Sequence, residues 1–199
     1  MEHERHGARQ PHRFDPARAG VLDDRARFAS LPPNEVFSLL NARNGAVVVD
    51  FGTGTGTYAI ELAKNRPDVR VIALDELQPM LDKVRQKLAT EPLRNMEPVM
   101  ARSPEASALV GNVDRVLALN VLHELGDAAL GEVLALLKSS GGVLFVDWNA
   151  EAPRDYGPPK EHVYSPLEAQ RRLEKAGFQV TGQKLFPHHY ALVCRRAAT

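Results

Sequence analysis

Three glycines alternate with threonines directly after a β-branched run, in the order Val47-Val-Val-Asp50-Phe-Gly52-Thr-Gly54-Thr-Gly56-Thr-Tyr58. Glycines at this spacing let the backbone turn tightly and approach a ligand with no Cβ in the way. The amides that open a following helix favour an anion or a polar group. Gly54-x-Gly56-x-x-Ala59 also satisfies the dinucleotide fingerprint, and a glycine loop alone does not choose between ligands. Asp50 does, because a carboxylate there would repel a pyrophosphate and would suit an ammonium or a sulfonium. Asp75, near the end of the next β-like run, is an acid that can bind ribose hydroxyls with either ligand. His123 carries an imidazole whose ordinary pKa, ~6.5, suits proton removal near neutrality. Glu124 beside it can orient it or replace it. His123 can equally be a loop-stabilising hydrogen-bonding residue.

These residues must be positioned by alternating strands and helices. Residues 46–50, 69–74, 97–101, 113–119 and 142–147 read as strands, and 178–185 and 190–194 as two more. Between them 56–65, 77–89 and 127–138 read as helices. Another starts at Ser165-Pro-Leu-Glu168, which has the form of a capping box, and ends at Gly177. The N-terminal stretch 17–41 has a helical pattern with a start at Pro33-Asn34. The alternation predicts an α/β fold: a Rossmann-like, seven-stranded, mostly parallel sheet with helices on both faces. The last two strands are joined too closely for a crossover helix, so one strand near the C-terminus should run antiparallel.

Composition narrows the classes. The 199 residues fit one domain, divided into an N-terminal helical lid segment, 1–45, and a cofactor-binding core, 46–199. Lys plus Arg and Asp plus Glu both count 25, and this zero net charge disfavours a nucleic-acid partner. No apolar run approaches the ~18 residues of a membrane span. No secretory signal opens the chain, so a cytoplasmic protein is expected. Cys194 is the single cysteine, which excludes a disulfide framework and a multi-thiolate metal site. It reads as a small buried hydrophobe. His3, His6 and His12 read as a solvated tail, so no metal is expected. His188 and His189 read as solvated turn residues.

The run Asp50-Phe-Gly-Thr-Gly-Thr-Gly56 resembles the first motif of class I S-adenosylmethionine-dependent methyltransferases. The likeness continues through Val71-Ile-Ala-Leu-Asp75-Glu-Leu77-Gln-Pro-Met80 and Leu119-Asn120-Val-Leu-His123-Glu124-Leu125. From about residue 12 the chain is similar to small prokaryotic members, distantly to quinone-biosynthesis and arsenite methyltransferases. The short segments 12–16 and 157–164 share in the likeness. The resemblance implies S-adenosylmethionine as cofactor, with S-adenosylhomocysteine as product. It implies that Gly52, Gly54 and Gly56 pack on the methionine moiety near Asp50, with Tyr58 beside it. Asp75 would bind the ribose, Leu77 would flank the adenine, and Asn120 would offer its backbone carbonyl. Ser103 stands where the family often has an aspartate for the adenine amine, so Ser103, Pro104 or Glu105 would supply that contact.

Few other catalytic groups are expected, because aligning an activated methyl group can itself supply an effective molarity of ~10⁵–10⁸ M. Asp147 reads as a loop-fixing acid and Trp148 as a wall of the cavity. Tyr156 and Lys160 imitate the Tyr-x-x-x-Lys pair of short-chain dehydrogenases, but Gly157-Pro158-Pro159 forbids the helix that pair needs. The lack of cysteines disfavours arsenite as acceptor. Recognition is left to 14–30 and the loop 148–164, so the expected partner is a small molecule, with oligomeric state open. Arg18, Arg25, Arg27 and Arg154 are candidates to hold an anionic acceptor, each taken singly reading as surface charge. Two other readings stay open: an NAD(P)-dependent oxidoreductase, which Asp50 disfavours, and a non-catalytic cofactor-binding protein of the same fold.

Overall fold

A computed structural model describes residue 20 and residues 22–198. The sheet has seven strands in the order β3-β2-β1-β4-β5-β7-β6. They are β1 (Val47–Phe51), β2 (Arg70–Asp75), β3 (Met96–Met100), β4 (Val113–Leu119), β5 (Leu137–Trp148), β6 (Phe178–Leu185) and β7 (His189–Arg196). β1 to β5 pair in parallel, and β7 runs antiparallel to both β5 and β6. The expected architecture is therefore present.

Alternation along each strand sends side chains to two separate cores. Val49, Ile72, Val116 and Phe145 pack on one face under α5 (Pro104–Ser107), α6 (Asp127–Leu136) and α7 (Pro166–Lys175). Val48, Val71, Leu117 and Leu144 pack on the other under α2 (Pro33–Leu40), α3 (Thr57–Asn65) and α4 (Gln78–Thr90). The capping box of α7 forms in both directions, Ser165 Oγ accepting from Glu168 N while a Glu168 carboxylate oxygen accepts from Ser165 N. Such a cap contributes about 1 kcal/mol.

Three elements differ from the sequence pattern. The run 17–41 is not one helix: α1 (Arg27–Ser30) stops at Leu31 and α2 begins after Pro32. Proline restricts the residue before it to extended backbone, which breaks the helix there. The helix expected over 127–138 ends at Leu136, and β5 starts at Leu137 rather than at residue 142. Leu137 pairs with Val113, and Lys138 reaches Asp114 at 2.8 Å, so tertiary pairing overrides helical periodicity. His189 is not a solvated turn residue. It opens β7, is 3% exposed and stacks on Trp148 with ring centroids 4.1 Å apart. Burial pushes its pKa down to about 3. Cys194 is buried in β7, where burial pushes its thiol up to about 12. Residues 1–19, with His3, His6, His12 and Arg18, lie outside the described residues. Among the described residues no helix is long and apolar enough to cross a membrane.

Candidate active site

The carboxyl ends of β1, β2 and β4 open onto a cavity of about 600 Å³. Parallel sheets bind ligands at that edge. The glycine loop forms one wall. Gly52 N and Thr53 N both donate to Leu74 O at 2.9 Å, which folds the loop back over β2. Gly52 has φ +73°, and a Cβ there would lie 2.7 Å from Val121 Cγ1. Gly54 has φ +55° and is covered by Leu22, whose Cδ1 would stand 3.0 Å from an added Cβ. Both positions exclude a side chain, by conformation and by space.

Asp50 is 3% exposed, and Thr53 Oγ1 donates to its Oδ2 at 2.7 Å. Burial pushes its pKa up to about 7; the Thr53 hydrogen bond lowers it, Asp75 adds to the rise, and Arg27 opposes it. Thr53 is its one hydrogen-bond donor among the described residues, so most of the carboxylate's accepting capacity is unused. Asp75 is also buried, which raises its pKa. Its Oδ2 accepts from Gly54 N at 2.8 Å and its Oδ1 from Leu77 N at 2.9 Å. A carboxylate has about four accepting sites, so accepting capacity remains. Asn120 follows β4 in a left-handed conformation, φ 57°, and its Oδ1 is buried with no hydrogen-bond partner. A strained residue with an orphaned polar atom at a cavity wall is where a ligand contact belongs.

The expected site residues divide into two groups. Asp50, Gly52, Gly54, Tyr58, Asp75, Leu77, Asn120 and Glu124 line the cavity. Gly56, Ser103, Pro104 and His123 are not among its lining residues. Gly56, at φ 77°, is the N-cap of α3. Ser103 caps the short helix α5, its Oγ accepting from Ala106 N, and Ala101 and Arg102 line the cavity beside it. Tyr58 donates its hydroxyl to Leu31 O at 2.7 Å and so anchors the N-terminal segment.

His123 is 7% exposed and sits behind the wall. Its backbone N donates to Asp147 Oδ2 at 2.8 Å, and its Nδ1 lies 2.9 Å from Asp147 Oδ1. Its Nε2 is 3.5 Å from Glu124 Oε1. Burial alone would lower the His123 pKa, but Asp147, aided by Glu124, outweighs it and raises it. The imidazole is therefore biased toward its charged form, which departs from the free base expected from the sequence. Trp148 does not wall this cavity; it packs with Tyr156, His189 and Arg154.

Sequence reasoning missed how the N-terminal segment meets the loop. Thr57 Oγ1 donates to Leu22 O at 3.0 Å, and Thr55 Oγ1 donates to Asp23 Oδ1 at 2.6 Å. Lys87 Nζ reaches the same Asp23 oxygen at 2.6 Å. Arg27 lines the cavity rather than the outer surface. No local pattern marks these contacts, because they join residues about 30 or more positions apart.

Residues 48–141 match a family model described as a methyltransferase domain. A crystal structure of a SAM-dependent methyltransferase from Aquifex aeolicus superposes with a TM-score of 0.83 at 28% identity, covering 92% of this chain and 98% of that one. The ribosomal RNA small subunit methyltransferase G of Deinococcus radiodurans is 35% identical over 103 residues, 45% of this chain and 41% of that protein. The release factor glutamine methyltransferase of Streptococcus pneumoniae is 36% identical over 76 residues, 37% of this chain and 27% of that protein. The chain thus spans less than half the length of these two curated relatives. The glycine loop, the strand order and the family model agree: residues 48–141 match a methyltransferase domain, and the chain has the fold of an S-adenosylmethionine-dependent methyltransferase.

Proposed function

We propose that the protein transfers a methyl group from S-adenosylmethionine to a small-molecule acceptor. The observation that carries this is Asp50, a buried carboxylate with one hydroxyl donor at the wall of a glycine-lined cavity. An ammonium or a sulfonium satisfies it; a pyrophosphate, as NAD(P) would bring, does not. The orphaned Asn120 Oδ1 at the end of β4 supports the same cofactor.

When bound, the cofactor supplies a methyl group activated by its positive sulfur. Asp50 would balance charge at the amino-acid end, and Asp75 would offer its unused accepting capacity to ribose hydroxyls. The acceptor's proton then needs a base. Glu124 lines the cavity and is the candidate base. His123, held by Asp147, stands 3.5 Å behind it and is a positioning residue that stabilises the carboxylate. A general base contributes typically ~10²–10⁴-fold.

Zero net charge and a recessed cavity favour a small acceptor over RNA or protein, the acceptors that the two curated relatives' names state. The test is thermal melting with S-adenosylhomocysteine, S-adenosylmethionine, NAD and NADP, followed by transfer of labelled methyl groups to a deproteinised cell extract, to ribosomes and to proteins. A ligand at 100 times its Kd stabilises by about 2.7 kcal/mol. Stabilisation by the adenosyl thioether and label in the small-molecule fraction are expected. Stabilisation by NAD or NADP alone would replace the cofactor reading, and label in RNA or protein would replace the acceptor.

A further inference from the structure

Outside the cavity, a second cluster of buried polar atoms lacks partners. Successive residues of a strand point to opposite faces, so at the end of β5 Asp147 turns to His123 and Trp148 turns the other way, beside its cross-strand neighbour His189. Trp148 is the single tryptophan of the chain. Arg154 lies over its ring at 5.1 Å, and His189 stacks on it. Tyr156, half exposed, meets Trp148 and His188 edge-on, with centroids 5.7 and 5.2 Å apart. Arg154 donates from Nη1 to Tyr156 O at 2.8 Å. Its Nε and Nη2 are buried with no hydrogen-bond partner, as are His188 Nδ1 and both ring nitrogens of the deeply buried His189. A buried donor left unpaired costs stability, and a charged one costs more.

Nε and Nη2 form one edge of the guanidinium, the edge that grips a carboxylate through two parallel N–H···O bonds. His189, held neutral by burial, adds one donor and no charge. Arg154 supplies a single positive charge, which a carboxylate matches and a phosphate dianion exceeds. The cluster is tied to the transfer step, because Trp148 N donates to Asp147 Oδ1 at 2.7 Å and Asp147 holds His123 behind Glu124. The charge of Arg154 is also felt at His123. We propose that Arg154 determines acceptor specificity by binding a carboxylate of the methyl acceptor through Nε and Nη2, beside Trp148 and His189. This rests on the small-molecule methyl transfer proposed above and narrows the acceptor to a carboxylate-bearing molecule. The loop that carries Arg154 and Tyr156 lifts to admit it.

Trp148 fluorescence reads this cluster directly. Benzoate, benzamide and inorganic phosphate are titrated into wild type, Arg154→Gln and Arg154→Lys in the presence of S-adenosylhomocysteine. Benzoate should change the wild-type emission saturably, and benzamide, its neutral counterpart, should not. Arg154→Gln should weaken benzoate about 10- to 100-fold, the usual range for a charge-assisted contact, and Arg154→Lys should recover part of the loss. Arg154→Gln should keep its affinity for S-adenosylhomocysteine within about twofold. No saturable response of the wild type to benzoate, or equal affinity in wild type and Arg154→Gln, would overturn the proposal. Equal loss of benzoate and S-adenosylhomocysteine in Arg154→Gln would make Arg154 a structural residue and overturn it too. Phosphate binding tighter than benzoate would overturn the assignment to a carboxylate. Methyl label found only in RNA or protein would instead remove the small-acceptor reading on which the proposal rests.

Discussion

Asp50 lies one residue before the end of β1, and Asp147 one residue before the end of β5. Both are buried on the ligand-binding edge of the sheet, at 3% and 0% exposure. Their surroundings differ. Asp147 accepts from His123 N, from Trp148 N at 2.7 Å and from the His123 ring, so its charge is met inside the protein. Asp50 has the Thr53 hydroxyl and an acidic neighbour, Asp75. A buried carboxylate that the protein satisfies holds structure together. One left short of donors costs stability and is kept where a ligand completes it. Under the proposed function, the two strand ends separate into a positioning end and a binding end.

The largest expected effect tests the positioning end through Glu124. Glu124→Gln should lower turnover of a proton-bearing acceptor by ~10²–10⁴ and leave cofactor affinity unchanged. His123→Ala should cost less and move the pH–rate profile; an unchanged profile and rate would remove His123 from the mechanism. Second, Asp147→Asn leaves the charged imidazole without its buried partner and should destabilise the fold by ~3 kcal/mol in denaturant melts. The raised His123 pKa sets the sign: the pair's contribution is full below the unfolded value of ~6.5 and is lost as pH rises through the folded one. The gap between wild type and variant should therefore shrink at high pH.

A third, smaller effect belongs to Asp50. Its pKa of about 7 must fall when a cation binds. Affinity for S-adenosylhomocysteine should be flat above that pH and weaken below it, by up to about tenfold per unit. Asp50→Asn should abolish this dependence. The smallest is Gly54→Ala, which forces a side chain to φ +55° against Leu22 and should cost about 1 kcal/mol in stability.

The binding end was largely legible in the sequence, because its parts are local. Asp50 and the three glycines fall within seven residues, and the loop geometry follows from them. The positioning end was not. His123 and Asp147 are 24 residues apart, and their pairing depends on β4 lying beside β5. Without that contact His123 reads as a free base, whereas Asp147 holds it toward its charged form. The place of Ser103 was not legible either, because capping of the short helix α5 takes up its hydroxyl. Arg27 was legible only as one of four candidate arginines and Asp23 not at all, since a helical pattern does not say which side chain turns toward a loop 30 residues away.

The most direct test of the contrast is calorimetric titration of S-adenosylmethionine into wild type, Asp50→Asn and Asp147→Asn at pH 8. Asp50→Asn should weaken binding about 10- to 100-fold, while Asp147→Asn stays within about twofold of wild type. Wild-type affinity in Asp50→Asn, or an equal loss in both variants, would contradict the assignment of Asp50 as the carboxylate that the cofactor completes.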